Sequence, residues 1–218
     1  MRTREEPGSG HAPGTSVRHT PRVAEGGAQH PRDAILDTAV ILASEKGLEA
    51  VSLSRLASAT NMSKSGLYAH FSSKEELQLA TVERAWEVFE RAVLGDGGGE
   101  AMGGLEALLE RWLAFYERRV LPGGCLFLSE GVHFALRPGP VREALASRVT
   151  QQTEALEKAA QHAKATGALP GEKDASQVAF ELHSLLLNAD ALYSIAGNRA
   201  VFEQSRARFR EILGAAVS

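Results

Sequence analysis

Between residues 63 and 74 the chain carries donors and cations whose types and spacing define a chemistry. Ser63, Lys64, Ser65, Tyr68, Ala69, His70 and Lys74 are interleaved with the apolar Leu67 and Phe71. At helical period Leu67 and Phe71 fall one turn apart and turn inward, which leaves Ser65 and Ala69 outward and Tyr68 on the flank. Small outward residues let a helix approach the floor of a major groove, and polar ones at its N-terminal end reach base edges and phosphates. That chemistry is recognition, without bond making. No His-Glu-x-x-His zinc motif, phosphate loop or Gly-x-Ser-x-Gly elbow occurs in the chain. Glu130 and His133 have i, i+3 spacing, which supplies half of a metal site, and no second pair supplies the other half. The sequence therefore predicts no catalytic residue, no metal and no cofactor.

Short helices must hold this segment. Ile35, Ala39, Leu42 and Ala43 mark a first helix over about 32 to 46, with Pro31 in its first turn and Gly47 where it stops. Ser52 caps a second helix through Leu53, Leu56 and Ala57, which ends before Thr60-Asn61. Asn61 tolerates the left-handed backbone that a tight turn requires. A third helix is predicted from Ser63 to about Phe71. Ser73-Lys74-Glu75-Glu76 reads as a capping box that opens a fourth, running to about Leu94. Past a glycine-rich break, further helical segments follow at about 105–120, 125–136, 141–166, 173–196 and 199–214. No alternating strand pattern and no repeat is present. The expected fold is all-α with about nine helices: a disordered arm over 1–30, a helix-turn-helix domain over 31–90 and a second helical domain over 91–218.

Composition narrows the classes. The 218 residues are 44% hydrophobic and 6% aromatic, with 24 basic and 27 acidic side chains and a formal charge of −3. No apolar run reaches the ~18 residues of a membrane span, and the Arg-, Gly- and Pro-rich start does not resemble a secretory signal. The expectation is a cytoplasmic protein without a membrane partner. The single cysteine, Cys125, excludes an internal disulfide and a cysteine-cluster zinc site. Over 31–75, Arg32, Lys46, Arg55, Lys64 and Lys74 are matched by Asp33, Asp37, Glu45, Glu49 and Glu75. Affinity for nucleic acid must then come from placement and from a second copy rather than bulk charge. The arm adds Arg2, Arg4, Arg18 and Arg22, either as phosphate or minor-groove contacts or as a solvated tail.

The segments Ser52-Leu53-Ser54-Arg55-Leu56-Ala57 and Asn61 through Leu77, with their Ser-Lys-x-x-Leu-Tyr-x-His-Phe-x-Ser-Lys-Glu-x-Leu run, resemble the DNA-binding domain of the TetR family of bacterial repressors over about 32 to 90. The resemblance implies phosphate contacts from Ser63, Tyr68, His70 and Lys74, and groove contacts from Lys64, Ser65 and Ala69, with Ser52 in the same DNA-binding set. Asn61 departs from the glycine usual there. It also implies a repressor that binds a pseudo-palindromic double-stranded operator as a homodimer and is released by a small-molecule effector. Dimer contacts would come from Leu182, Leu185, Leu186, Ala189 and Leu192, and from Phe202, Phe209 and Leu213. The alternative packs both stripes within one monomer. The effector pocket would draw on Trp112, Phe115, Tyr116, Cys125, Phe127, His133, Phe134, Phe180 and His183, each of which also suits a plain core. Two readings of Cys125 stand: a thiol that answers electrophiles or oxidants, or an inert buried side chain. A dimeric interaction module without DNA binding is the remaining alternative.

Overall fold

Apolar residues recur at three- and four-residue spacing along nearly the whole chain, and the computed structural model accordingly holds only helices among its described residues, 31–95, 103–169 and 173–214. The expected arm over 1–30 lies outside those residues. Nine α-helices follow in order: α1 (Pro31–Lys46), α2 (Leu53–Thr60), α3 (Lys64–Tyr68), α4 (Lys74–Phe89), α5 (Gly104–Glu117), α6 (Leu126–Phe134), α7 (Pro140–Ala165), α8 (Ala175–Ala196) and α9 (Ala200–Leu213). A 3₁₀ turn, Leu48–Ala50, joins α1 to α2. Among the described residues no helix is long and apolar enough to cross a membrane.

Two elements differ from their expected form. The third helix is shorter, because its exit tightens: the His70 and Phe71 amides both donate to the Leu67 carbonyl, at 3.0 and 3.1 Å, which drives Phe71 into the core. The fourth continues past Phe89 as a π-helical turn, Glu90–Leu94, closed by the Gly95 amide on the Glu90 carbonyl at 2.9 Å. Widening there lets the Val93 carbonyl accept from Arg111 Nε of α5 at 2.8 Å.

In the N-terminal half, α1 presents Ile35, Leu36, Ala39, Val40 and Ala43 to Leu53, Leu56, Leu67, Phe71 and Leu77, all buried. The C-terminal half is built around α7, which packs on α4, α5, α6 and α8. Its centre is aromatic: the Phe89 ring stands edge-on to Trp112, Phe115 and Phe127, at 5.0, 5.5 and 6.1 Å between centroids.

Five residues of the expected dimer stripe need correction. Leu182, Leu186 and Ala189 are fully buried within one protomer, and Phe202 and Phe209 are 1% and 3% exposed, so these five fill the monomer's own core. Periodicity marks a face as buried without saying against what. Leu185 and Leu213 are half-buried against that core, and Leu192 reaches the surface. The outward face of α8 instead shows Phe180 at 66% and Ile195 at 85% exposure.

Candidate nucleic-acid interface

Each turn of the helix-turn-helix is closed by a serine. The Ser52 hydroxyl caps α2 by accepting the Arg55 amide at 3.3 Å, and Ser63 caps α3 by accepting from Gly66 at 3.1 Å. Between them Asn61 takes the left-handed conformation, φ 54°. Ser73 caps α4 by accepting from Glu76 at 3.0 Å. The return arm of the expected capping box lands one residue earlier: Glu76 Oε2 accepts from both the amide and the hydroxyl of Ser72. Ser72 offers two donors to one oxygen, where the Ser73 amide would have offered one.

These caps fix the outer face. Leu67 and Phe71 are buried, and the Arg32 guanidinium of α1 lies over the Phe71 ring at 5.0 Å. Ser63, Lys64, Ser65, Tyr68 and Ala69 are exposed, with Tyr68 at 60%, and His70 is half-buried beside them. The Ser63 and Ser65 hydroxyls meet at 3.0 Å. Lys74, in the first turn of α4, pairs with Glu49 at 3.0 Å; both side chains are nearly half exposed, so the pair is weak enough to yield to a phosphate. The Lys74 ammonium in turn holds the Glu49 carboxyl below its usual range.

Contacts from the C-terminal half reach this unit at the 3₁₀ turn. The Leu48 amide donates to Glu130 Oε2 of α6 at 3.0 Å, while Gln78 of α4 donates to the Leu48 carbonyl at 2.9 Å. Glu130 thus spends its carboxylate on the backbone. Glu49 also pairs with Arg137 at 3.2 Å. The Gly123-Gly124-Cys125 loop explains its glycines sterically. A Cβ on Gly123 would stand 1.8 Å from the Ser44 carbonyl oxygen at the end of α1, and one on Gly124 (φ +86°) would stand 2.3 Å from Asp190 Oδ1 of α8.

The residues expected to line a pocket separate into three groups. Trp112, Tyr116, Cys125 and His183 converge: the Trp112 indole donates to the Tyr116 hydroxyl at 2.8 Å and its ring lies 5.6 Å from that of His183. Tyr116 faces the Cys125 thiol. Phe115 and Phe127 belong to the neighbouring aromatic core, and Phe134 is buried at the end of α6. His133 and Phe180 are exposed and line no interior. Burial pushes the Cys125 thiol up, with the Asp190 carboxylate adding to it, so the thiol is protonated at neutral pH.

Gln152, Thr153 and Asp190 lie outside every motif that the sequence singles out. Gln152 stands in the buried stripe of α7 between Leu145 and Leu156, and Asp190 in that of α8. A polar residue at a core position of an amphipathic helix was the available signal. Asp190 Oδ2 accepts the Cys125 amide at 2.8 Å, and burial raises its carboxyl.

A serine-capped helix-turn-helix joined to a larger helical bundle defines the class, and comparison with known proteins narrows it. Residues 35–81 match the model of bacterial regulatory proteins of the tetR family, and residues 101–209 match the tetracyclin repressor-like C-terminal domain. The chain belongs to the TetR family of bacterial transcriptional regulators. It is 28% identical over 158 residues to the HTH-type transcriptional repressor ComR of Escherichia coli (strain K12), covering 71% of this chain and 75% of that protein. A TetR-family regulator from Cytophaga hutchinsonii shares the fold with a TM-score of 0.71 at 20% identity, over 84% of this chain and 92% of the other. AibR, solved in complex with isovaleryl coenzyme A and operator DNA, aligns with a TM-score of 0.61 at 25% identity, over 82% of this chain and 95% of its own.

Proposed function

We propose that the chain is a homodimeric repressor that holds a double-stranded operator through α3 and lets go when a small molecule binds its C-terminal half. The observation that carries this reading is the outer face of α3: Ser63, Lys64, Ser65 and Tyr68 stand exposed while Leu67 and Phe71 are locked inside. In this reading Lys64 and Ser65, with Ala69, face bases. Ser63, Tyr68, His70 and Lys74 hold phosphates, and Ser52 orients α2 beside the backbone. Residues 31–90 form the DNA-binding domain and 91–218 the effector and dimer domain of a cytoplasmic, non-catalytic protein. The similarity to ComR and AibR supports repression, operator binding and an effector. The second copy docks on the outward face of α8, where Phe180, Leu192 and Ile195 expose large apolar side chains. The raised, buried Cys125 thiol favours reversible ligand binding over thiol oxidation as the release signal.

A gel shift with the DNA flanking the protein's own gene tests it. That fragment is expected to be retained at protein concentrations where random DNA runs free. Lys74→Ala should weaken both and lower the salt slope by about 1. Equal retention of both fragments by the parent protein would contradict the reading.

A further inference from the structure

The interior of the C-terminal half holds polar atoms that the fold leaves unpaired. Gln152 is 1% exposed, and neither its amide nitrogen nor its amide oxygen has a hydrogen-bond partner; His183 Nε2 is buried and equally unpartnered. The Gln152 amide faces the Cys125 thiol, a weak partner that leaves its hydrogen-bonding capacity largely unused. Contacts tie these groups into one cluster. Cys125 meets Tyr116 and the Gln152 amide, Tyr116 meets Trp112, the Trp112 ring packs on His183, and His183 Nδ1 lies 3.2 Å from the hydroxyl of Thr153. Native interiors pair nearly all of their buried polar groups, so three orphans in one cluster mark a place where something else supplies the partners.

The chemistry of that partner follows from the donors and acceptors. Thr153 gives its one hydroxyl proton to the Val149 carbonyl at 3.2 Å, so the contact with His183 is an Nδ1–H donating to Thr153. Burial lowers the His183 pKa and keeps the ring neutral, which leaves Nε2 a bare acceptor. Gln152 offers two donors and an acceptor. Asp190, the carboxylate beside Cys125, is occupied by the Cys125 amide and by Ser194, and Trp112 and Tyr116 give the cluster aromatic faces. With the Asp190 charge already faced by Arg119, an ionised ligand would find no unpaired counter-charge among these groups.

We propose that this cluster on α5, α7 and α8 binds an uncharged aromatic or similarly apolar molecule carrying a hydroxyl or N–H group, which donates to His183 Nε2 and pairs with the Gln152 amide. The assignment rests on the reading of the chain as an effector-released repressor and names the class of that effector. Admitting such a molecule parts α7 from α8. Asp190 carries that movement to the Cys125 amide and the Gly124 backbone, and Gly123, whose amide donates to Ser44 Oγ at 2.8 Å, passes it to the end of α1.

Thermal melts of the full chain test the proposal with five probes: phenol, benzyl alcohol, toluene, benzoate and benzylamine. Phenol and benzyl alcohol are expected to raise Tm, and the apolar, anionic and cationic probes to leave it unchanged. Gln152→Met removes two buried orphans at similar volume, so it should raise the ligand-free Tm by about 2 to 4 °C and abolish the phenol shift. A comparable shift with benzoate or benzylamine overturns the assignment. So do a Gln152→Met protein that melts lower or does not fold, and a parent protein that no probe stabilises, in which case the amide serves a buried water only. The same probes added to the gel shift separate the two levels. A phenol-stabilised protein that still retains its DNA keeps the site and removes the release mechanism.

Discussion

Ser63, the cap of α3, and Gln152, on α7, are both polar residues whose neighbours pack inward, and they end in opposite states. The Ser63 hydroxyl is exposed, accepts the Gly66 amide at 3.1 Å and meets the Ser65 hydroxyl at 3.0 Å. Gln152 is 1% exposed and satisfies none of its amide atoms. The recognition tip is complete as folded: caps close its helices, and its remaining side chains face solvent, where an unmet hydrogen bond costs little. The interior of the C-terminal half instead leaves Gln152 and His183 Nε2 without a protein partner, and an unmet buried polar atom costs about 1 to 3 kcal/mol. The tip therefore needs no further partner to complete its folded hydrogen bonds, whereas the interior would gain free energy from one. A regulator needs that asymmetry, because an effector shifts a conformational balance only through what it binds differently in the two states.

The widest separation between the two regions should come from Gly124→Ala. Its φ of +86° strains any side chain, and the new Cβ would stand 2.3 Å from Asp190 Oδ1. The cost is expected near about 3 kcal/mol, a drop in Tm of about 6 to 12 °C. Ser63→Ala, which removes one exposed cap, should cost about 1 kcal/mol. Equal losses in calorimetry would erase the contrast between a pinned interior and a locally built tip.

A smaller effect sharpens the interior half of the comparison through pH. The His183 ring has a folded pKa below its ordinary 6.5 because burial disfavours the charged form. Its contribution to stability is therefore present above about pH 6.5 and is lost as pH falls below it. Asp190, raised by burial, titrates in the opposite sense, so the difference between parent and His183→Gln isolates the ring. The fall in Tm from pH 7.5 to 5.5 should be smaller in the variant. An identical fall in both proteins would remove His183 as a buried neutral acceptor.

The tip was legible in the sequence because its logic is local. Leu67 and Phe71 are one turn apart, each cap bonds three residues ahead, and Asn61 sets the turn. A short window therefore contains most of what shapes the tip, the Lys74–Glu49 pair and the Arg32–Phe71 contact aside. The interior cluster was not legible as a site. Its contacts join residues far apart in sequence, Cys125 to Asp190 across 65 residues and Thr153 to His183 across 30, and no short motif encodes such a meeting. Trp112, Tyr116, Cys125 and His183 were identifiable by type, whereas Phe180 and His133, of the same types, face outward. Apolar periodicity misassigned five residues of the dimer stripe for a related reason. It reports that Leu182, Leu186 and Phe202 are covered, and only the packing of α8 and α9 on α5 and α7 tells that the cover is the protomer itself.

The central claim is that the exposed side of α3 reads a duplex. Fluorescence anisotropy with the operator fragment, comparing the parent with the Lys64→Ala/Tyr68→Ala double variant, tests it most directly. Both side chains are exposed, so Tm should be unchanged while operator affinity falls about 10- to 100-fold. A folded double variant that binds the operator as tightly as the parent would contradict the account.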